Sequence, residues 1–94
     1  MKSSLQEAEQ IINGERQDQY GKPEDSFRII ADFWEIYLIH RPDPTAPLTP
    51  LDVAHMMSLF KHARMLGQKP KRDNYVDAQG YLAIAADRLL KEEK

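Results

Sequence analysis

The 94-residue chain has no cysteine, which excludes disulfides and thiolate metal sites and leaves the compartment undecided on that ground. No stretch approaches the roughly 20 apolar residues of a membrane span. The start, Met1-Lys2-Ser3-Ser4-Leu5-Gln6-Glu7, lacks the apolar run of a signal peptide, so a soluble cytoplasmic protein without a membrane partner is expected. Neither sign of charge dominates. With 13 Lys and Arg against 15 Asp and Glu the net charge is −2, which gives no global attraction to nucleic acid and makes any anion site a local one. Strand-like alternation and internal repeats are missing too. There is no P-loop, dinucleotide fingerprint, nucleophile elbow or Ser-His-Asp arrangement, so covalent catalysis has no candidate and no catalytic residue is assigned. His55 and His62 lie seven apart, His40 is distant, and no zinc spacing connects them.

What is present is helical periodicity punctuated by three loops, which predicts one all-α domain over residues 1–94, a compact four-helix arrangement. Ser4 and Glu7 have the spacing of a capping box at the start of a short first helix, with Leu5, Ala8 and Ile12 on its apolar side and Asn13-Gly14 at its end. Residues 14–22 are polar apart from Tyr20, the expected anchor of a surface segment, and Gly21 suits a turn. Pro23 opens a second helix, with Glu24 and Asp25 complementing its dipole. Phe27, Ile30, Ala31, Trp34, Tyr37 and Leu38 then recur at three and four, the strongest periodic signal in the chain. Four of the six prolines fall within residues 41–50, predicting a stiff, extended connection. Thr49-Pro50-Leu51-Asp52 reads as cap, first-turn proline and capping-box acid of a third helix. Its predicted core stripe is Val53, Met56, Met57, Phe60, Ala63 and Gly67, with Arg64 projecting into the middle of it.

A fourth helix is expected to start at Asp73 or Asn74, after the basic run Lys69-Pro70-Lys71-Arg72, and to fray over residues 91–94. Asp73, Asp77, Gly80, Tyr81, Ile84 and Arg88 share one side, and Tyr75, Ala78, Leu82, Ala85, Ala86 and Leu89 form a core stripe on the other. Apolar residues on both sides predict cover on both sides, by a ligand, a loop or a second subunit.

Chemistry concentrates around these last two helices. Asp77 suits Mg²⁺, a hard cation that needs only one or two protein carboxylates when phosphates complete its shell, although the helix dipole alone also favours an acid there. Asp73 reads chiefly as an N-cap and secondly as a metal ligand. Asp52 serves equally as capping-box acid or as a ligand facing the same cavity. Lys61 and Arg64 form a basic pair that either meets Asp77 or Asp52 or clamps a phosphate. Lys71, Arg72 and Tyr81 complete the candidate ligand-binding set. Gly80 inside a helix predicts close packing.

The pattern Arg16-x-x-x-Tyr20-Gly21-x-Pro23, Phe27-x-x-Ile30-Ala31-x-x-Trp34, Asp52-Val53-Ala54, Lys61-x-x-Arg64 and Asp73-x-x-x-Asp77-x-x-Gly80-Tyr81 resembles a small phage- and prophage-encoded domain of unknown function, over nearly the whole chain. More distantly it is similar to the all-α nucleoside triphosphate pyrophosphohydrolases of the MazG type, which act as dimers or larger assemblies. That second resemblance implies one Mg²⁺ held by Asp77 and Asp52, Lys61 and Arg64 on the triphosphate, and water as the nucleophile. The Glu-x-x-Glu and Glu-x-x-Asp pairs of MazG-type enzymes are absent from the middle helices, and no second carboxylate to orient the water is evident. Two function classes follow: a nucleotide-related protein that binds or hydrolyses a nucleoside triphosphate with Mg²⁺, or a non-enzymatic phage accessory or inhibitor protein that contacts a host or phage protein. A symmetric homodimer with the fourth helix near its interface is expected.

Overall fold

The computed structural model describes residues 3–11, 22–66 and 69–90, and within them the chain is all-helical with four α-helices and no strand. Helix α1 spans Ser4–Ile11, α2 Pro23–Ile39, α3 Pro50–Ala63 and α4 Arg72–Ile84, and a π-helical turn, Ala85–Leu89, continues α4. The all-α architecture expected from the periodicity is present. Residues 12–21, with Tyr20 and Gly21, lie outside the described residues, as do Gly67 and the segment 91–94 expected to fray.

Helix starts follow the local chemistry with small shifts. Ser3 rather than Ser4 caps α1: its hydroxyl accepts from the Gln6 amide at 3.2 Å, and the Gln6 side chain accepts from the Ser3 amide at 2.9 Å. At α3 the expected box is present, with the Asp52 amide on Thr49 Oγ1 at 3.1 Å and the Thr49 amide on Asp52 Oδ2 at 2.9 Å. Helix α4 begins at Arg72 with Lys71 at the cap position and no side-chain cap, so Asp73 is a first-turn acid and not the N-cap. Its favourable interaction is with the helix dipole alone.

Helix α3 packs against α2 on one side and α4 on the other, and it supplies most of the buried surface. The closed core is made of small residues and one methionine: Ala54, Met56, Ala63, Ala78 and Ala85, with Asp52 and Asn74 also buried. Trp34 ties α2 to α3 by donating from Nε1 to the Met56 carbonyl at 2.7 Å, and the Phe33 and His62 rings meet edge to face.

Of the predicted core stripes, Met56 and Ala63 on α3 and Ala78 and Ala85 on α4 are buried, while other members are displaced. Leu5 is 68% exposed and Val53 is exposed. On α4 the buried line runs through Asn74, Ala78 and Ala85, between the two expected sides, so Asp77 and Tyr81 flank it half-buried while Tyr75, Leu82 and Ala86 stay exposed. The physical reason is contact size: alanines let α3 and α4 approach closely, and the larger residues on either flank are pushed outside the seam. Gly80 lies away from it, with nothing within 4 Å of where a Cβ would stand. Helix α2 has no fully buried residue, and Phe27 is 65% exposed.

The proline-rich connection is a wrapped turn and not an extended strut. The Arg41 guanidinium donates to the carbonyls of Pro44 and Ala46, both at 2.9 Å. Asp43 Oδ1 accepts from the Thr45 amide and hydroxyl at 2.9 and 2.6 Å. Prolines remove donors from this stretch, so carbonyls outnumber amides, and a five-donor guanidinium supplies the deficit.

Candidate functional site

Two polar centres flank α3. The first joins α2, the proline connection and the start of α3. Asp52 Oδ1 accepts from the Tyr37 hydroxyl at 2.6 Å, and Oδ2 accepts from Arg41 at 3.2 Å and from both the amide and the hydroxyl of Thr49. These donors, the Tyr37 hydroxyl first and the Thr49 amide next, hold the Asp52 carboxyl down at about 2. Burial first, then the bond to Asp52, pushes Tyr37 up to about 12. A tyrosine hydroxyl has one proton; with that proton on Asp52, the 3.0 Å contact between Tyr37 and His55 Nδ1 requires His55 to be the donor. The chain of donors runs His55 to Tyr37 to Asp52.

Sequence reasoning missed Tyr37, Arg41 and His55 as a unit, having placed Tyr37 in the core and given His55 no role. The available signal was spacing: Tyr37 and Arg41 are one turn apart at the end of α2, and Asp52 and His55 one turn apart at the start of α3.

The second centre is the seam between the end of α3 and α4. Lys61 Nζ lies 3.0 Å from Asp77 Oδ2, and this ion pair is half open, with the Asp77 side chain 45% exposed. One turn on, the Arg64 guanidinium stacks 4.5 Å from the Phe60 ring centroid, and Lys61 Nζ is 5.4 Å from the same ring. Lys71, Arg72 and Asp73 stand at the start of α4, and Tyr81 is one turn beyond Asp77. Asn74 faces inward at 1% exposure, and its Nδ2 has no hydrogen-bond partner among the described residues.

The sequence-selected residues therefore divide. Lys61 and Asp77 meet directly, with Arg64 at the C-cap of the helix that carries Lys61 and Asp73 one turn before Asp77. Asp52 is elsewhere: it sits nine residues before Lys61, about 13 Å along the helix axis, with both oxygens engaged by Tyr37, Arg41 and Thr49. Among the described residues no three His, Asp or Glu side chains converge as a metal-binding group. No described helix is long and apolar enough to cross a membrane.

Fold and site together define a small all-α domain with a polar clasp on one side of its central helix and a charged seam on the other. The chain belongs to the family described as a domain of unknown function, DUF6378, whose model matches residues 3–89. It is similar to the Gene 55 protein of Mycobacterium phage D29, 37% identical over 90 residues, covering 96% of this chain and 55% of that protein. It is also similar to the Gene 55 protein of Mycobacterium phage L5, 36% identical over 92 residues, covering 98% of this chain and 56% of that protein. The chain thus spans about half the length of these curated relatives. No solved structure matches it significantly. The expected resemblance to a small phage-encoded domain of unknown function is met by these relatives.

Proposed function

We propose that the α3–α4 seam binds the phosphates of a nucleotide. The observation that carries this reading is the half-open Lys61–Asp77 pair beside Arg64 and the basic start of α4. A phosphate takes the place of Asp77 on Lys61 and draws on Arg64, Lys71 and Arg72, whose donors suit its oxygens. Tyr81, one turn beyond Asp77, offers a ring for a sugar or base.

The carboxylates suit a Mg²⁺ that arrives already bound to phosphate, because such an ion needs one or two protein oxygens. Asp77, with Asp73 one turn earlier, supplies them; Asp52 is committed to the clasp. The ion would neutralise phosphate charge there. Hydrolysis of the triphosphate is the enzymatic form of this proposal, and it rests on the MazG likeness alone.

Isothermal titration with nucleoside triphosphates, with and without Mg²⁺, tests the reading. Binding that weakens in Lys61→Met and loses its Mg²⁺ dependence in Asp77→Asn supports it. The absence of heat for every nucleotide, in protein shown to be folded by circular dichroism, sinks it.

A second reading, a phage accessory or inhibitor protein acting by protein contact, is favoured by the exposed apolar side chains of α2, where Phe27, Ile36 and Ile39 face solvent. The same titration separates the two, since an accessory protein gives no nucleotide heat.

A further inference from the structure

Helix α4 shows its outward side to solvent, and that side is self-complementary. Arg72, Val76, Gly80, Ala83 and Asp87 are all exposed and follow one ridge at steps of three and four. Arg72 and Asp87, the latter in the π-helical turn that continues α4, stand on opposite sides of a point between Gln79 and Gly80. Val76 and Ala83 are placed symmetrically about the same point. Neither Arg72 nor Asp87 has an ionic partner among the described residues. Leu82 and Ile84, 50% and 48% exposed, flank the ridge. At its centre Gly80 leaves open space where a side chain would stand.

We propose that a second copy of this chain docks antiparallel on this ridge, with the two α4 helices crossing at Gly80. An isologous contact requires that residue i meet residue j while j meets i, and a two-fold axis through the ridge centre does this. Arg72 then faces Asp87 of the other copy and Val76 faces Ala83, each twice. A parallel arrangement would instead oppose Arg72 to Arg72 and Asp87 to Asp87. Glycine at the crossing lets the helix axes approach to the short end of the usual 8–10 Å range, and Leu82 and Ile84 close over the flanks. This accounts for a glycine in a helix interior, where it costs about 1 kcal/mol relative to alanine, and where nothing among the described residues uses the space.

A core built mainly of alanines leaves a single copy short of buried apolar surface. The proposal shares Arg72 with the phosphate reading, and the two are told apart because sedimentation without nucleotide reads only the dimer.

Sedimentation equilibrium across a concentration series tests it, with circular dichroism to confirm the fold of each variant. The wild-type chain is expected at twice its monomer mass. Arg72→Asp and Asp87→Arg should each weaken the dimer by about tenfold or more through like-charge contacts, and the double variant should recover wild-type affinity to within about threefold. Gly80→Gln should fold at least as well as wild type, because the space is open in one copy, yet run as a monomer. A monomeric wild-type chain at about 100 μM, well above the range of a specific dimer, overturns the proposal. So does a double charge swap that fails to restore the dimer lost in the single ones.

Discussion

Tyr37 donates its hydroxyl proton to Asp52 across 2.6 Å, joining α2 to the first turn of α3 at the point where the proline connection also closes. The bond depends on both groups staying in opposite protonation states, neutral phenol and charged carboxylate. Several measurable consequences arise from that pair and from the seam on the other side of α3.

Tyr37→Phe removes the hydroxyl and leaves both Asp52 Oδ1 and His55 Nδ1 without it. A hydrogen bond to a charged acceptor contributes about 1.5–3 kcal/mol. The partial exposure of Tyr37 places the expected loss near about 1.5 kcal/mol, the low end of that range. Urea denaturation should show a lower midpoint with an unchanged slope.

The pH dependence has a definite sign. Asp52 is held at about 2 in the fold, below the ordinary aspartate value near 3.9, so the folded state prefers the carboxylate. Its contribution is fully present above about pH 4 and is lost as pH falls towards 2. The melting temperature of wild type minus that of Asp52→Asn should therefore be constant above about pH 5 and shrink between about 4 and 2. Tyr37 behaves in the opposite direction: the fold prefers its neutral form, and that preference is lost as pH rises from about 10 through about 12. Ultraviolet titration should find a tyrosine that ionises only at about 12, and Tyr37→Phe should remove that step.

Lys61 and Asp77 should be coupled weakly in stability. Their carboxylate is nearly half exposed, and such pairs contribute about 0.2–1 kcal/mol in double-mutant cycles. A cycle of Lys61→Met and Asp77→Asn, read by thermal unfolding, should return a coupling in that range. A much larger value would mean that the pair is a structural lock, and the seam would then be poorly suited to exchange Asp77 for a phosphate.

Asn74 should gain from losing its amide. The side chain is buried with an unsatisfied Nδ2, and an unpaired buried donor costs about 1–3 kcal/mol. Asn74→Leu replaces it with an apolar group of the same branched shape and should raise the melting temperature by roughly 4–8 °C for each kcal/mol recovered. Unchanged or lower stability would show that the amide has a partner in solution.

Local signals were legible because they act over one helical turn. Thr49, Pro50 and Asp52 announced the start of α3, and Pro23 with Glu24 and Asp25 announced that of α2; both helices begin at the proline. The one-residue shift from Ser4 to Ser3 at α1 is of the same kind, since Gln6 completes a box as well as Glu7 does. The core stripes were less legible. Periodicity identifies which side chains are apolar, whereas which of them close depends on the neighbour, and α4 turned its alanines towards α3 and left Tyr75 and Leu82 outside.

The site divides in the same way. Sequence by itself determined four helices, the capping box of α3, the absence of thiols and of a run long and apolar enough to span a membrane, and the proximity of Lys61 to Arg64 and of Asp73 to Asp77, all of which depend on spacing along one chain segment. Tertiary structure decided which charges meet: Asp77 found Lys61, and Asp52 was taken by Tyr37, Arg41 and Thr49. The reason is that an ion pair between helices depends on their rotation about their own axes, and that rotation is set by the small residues packed between them, here Ala54, Ala63, Ala78 and Ala85.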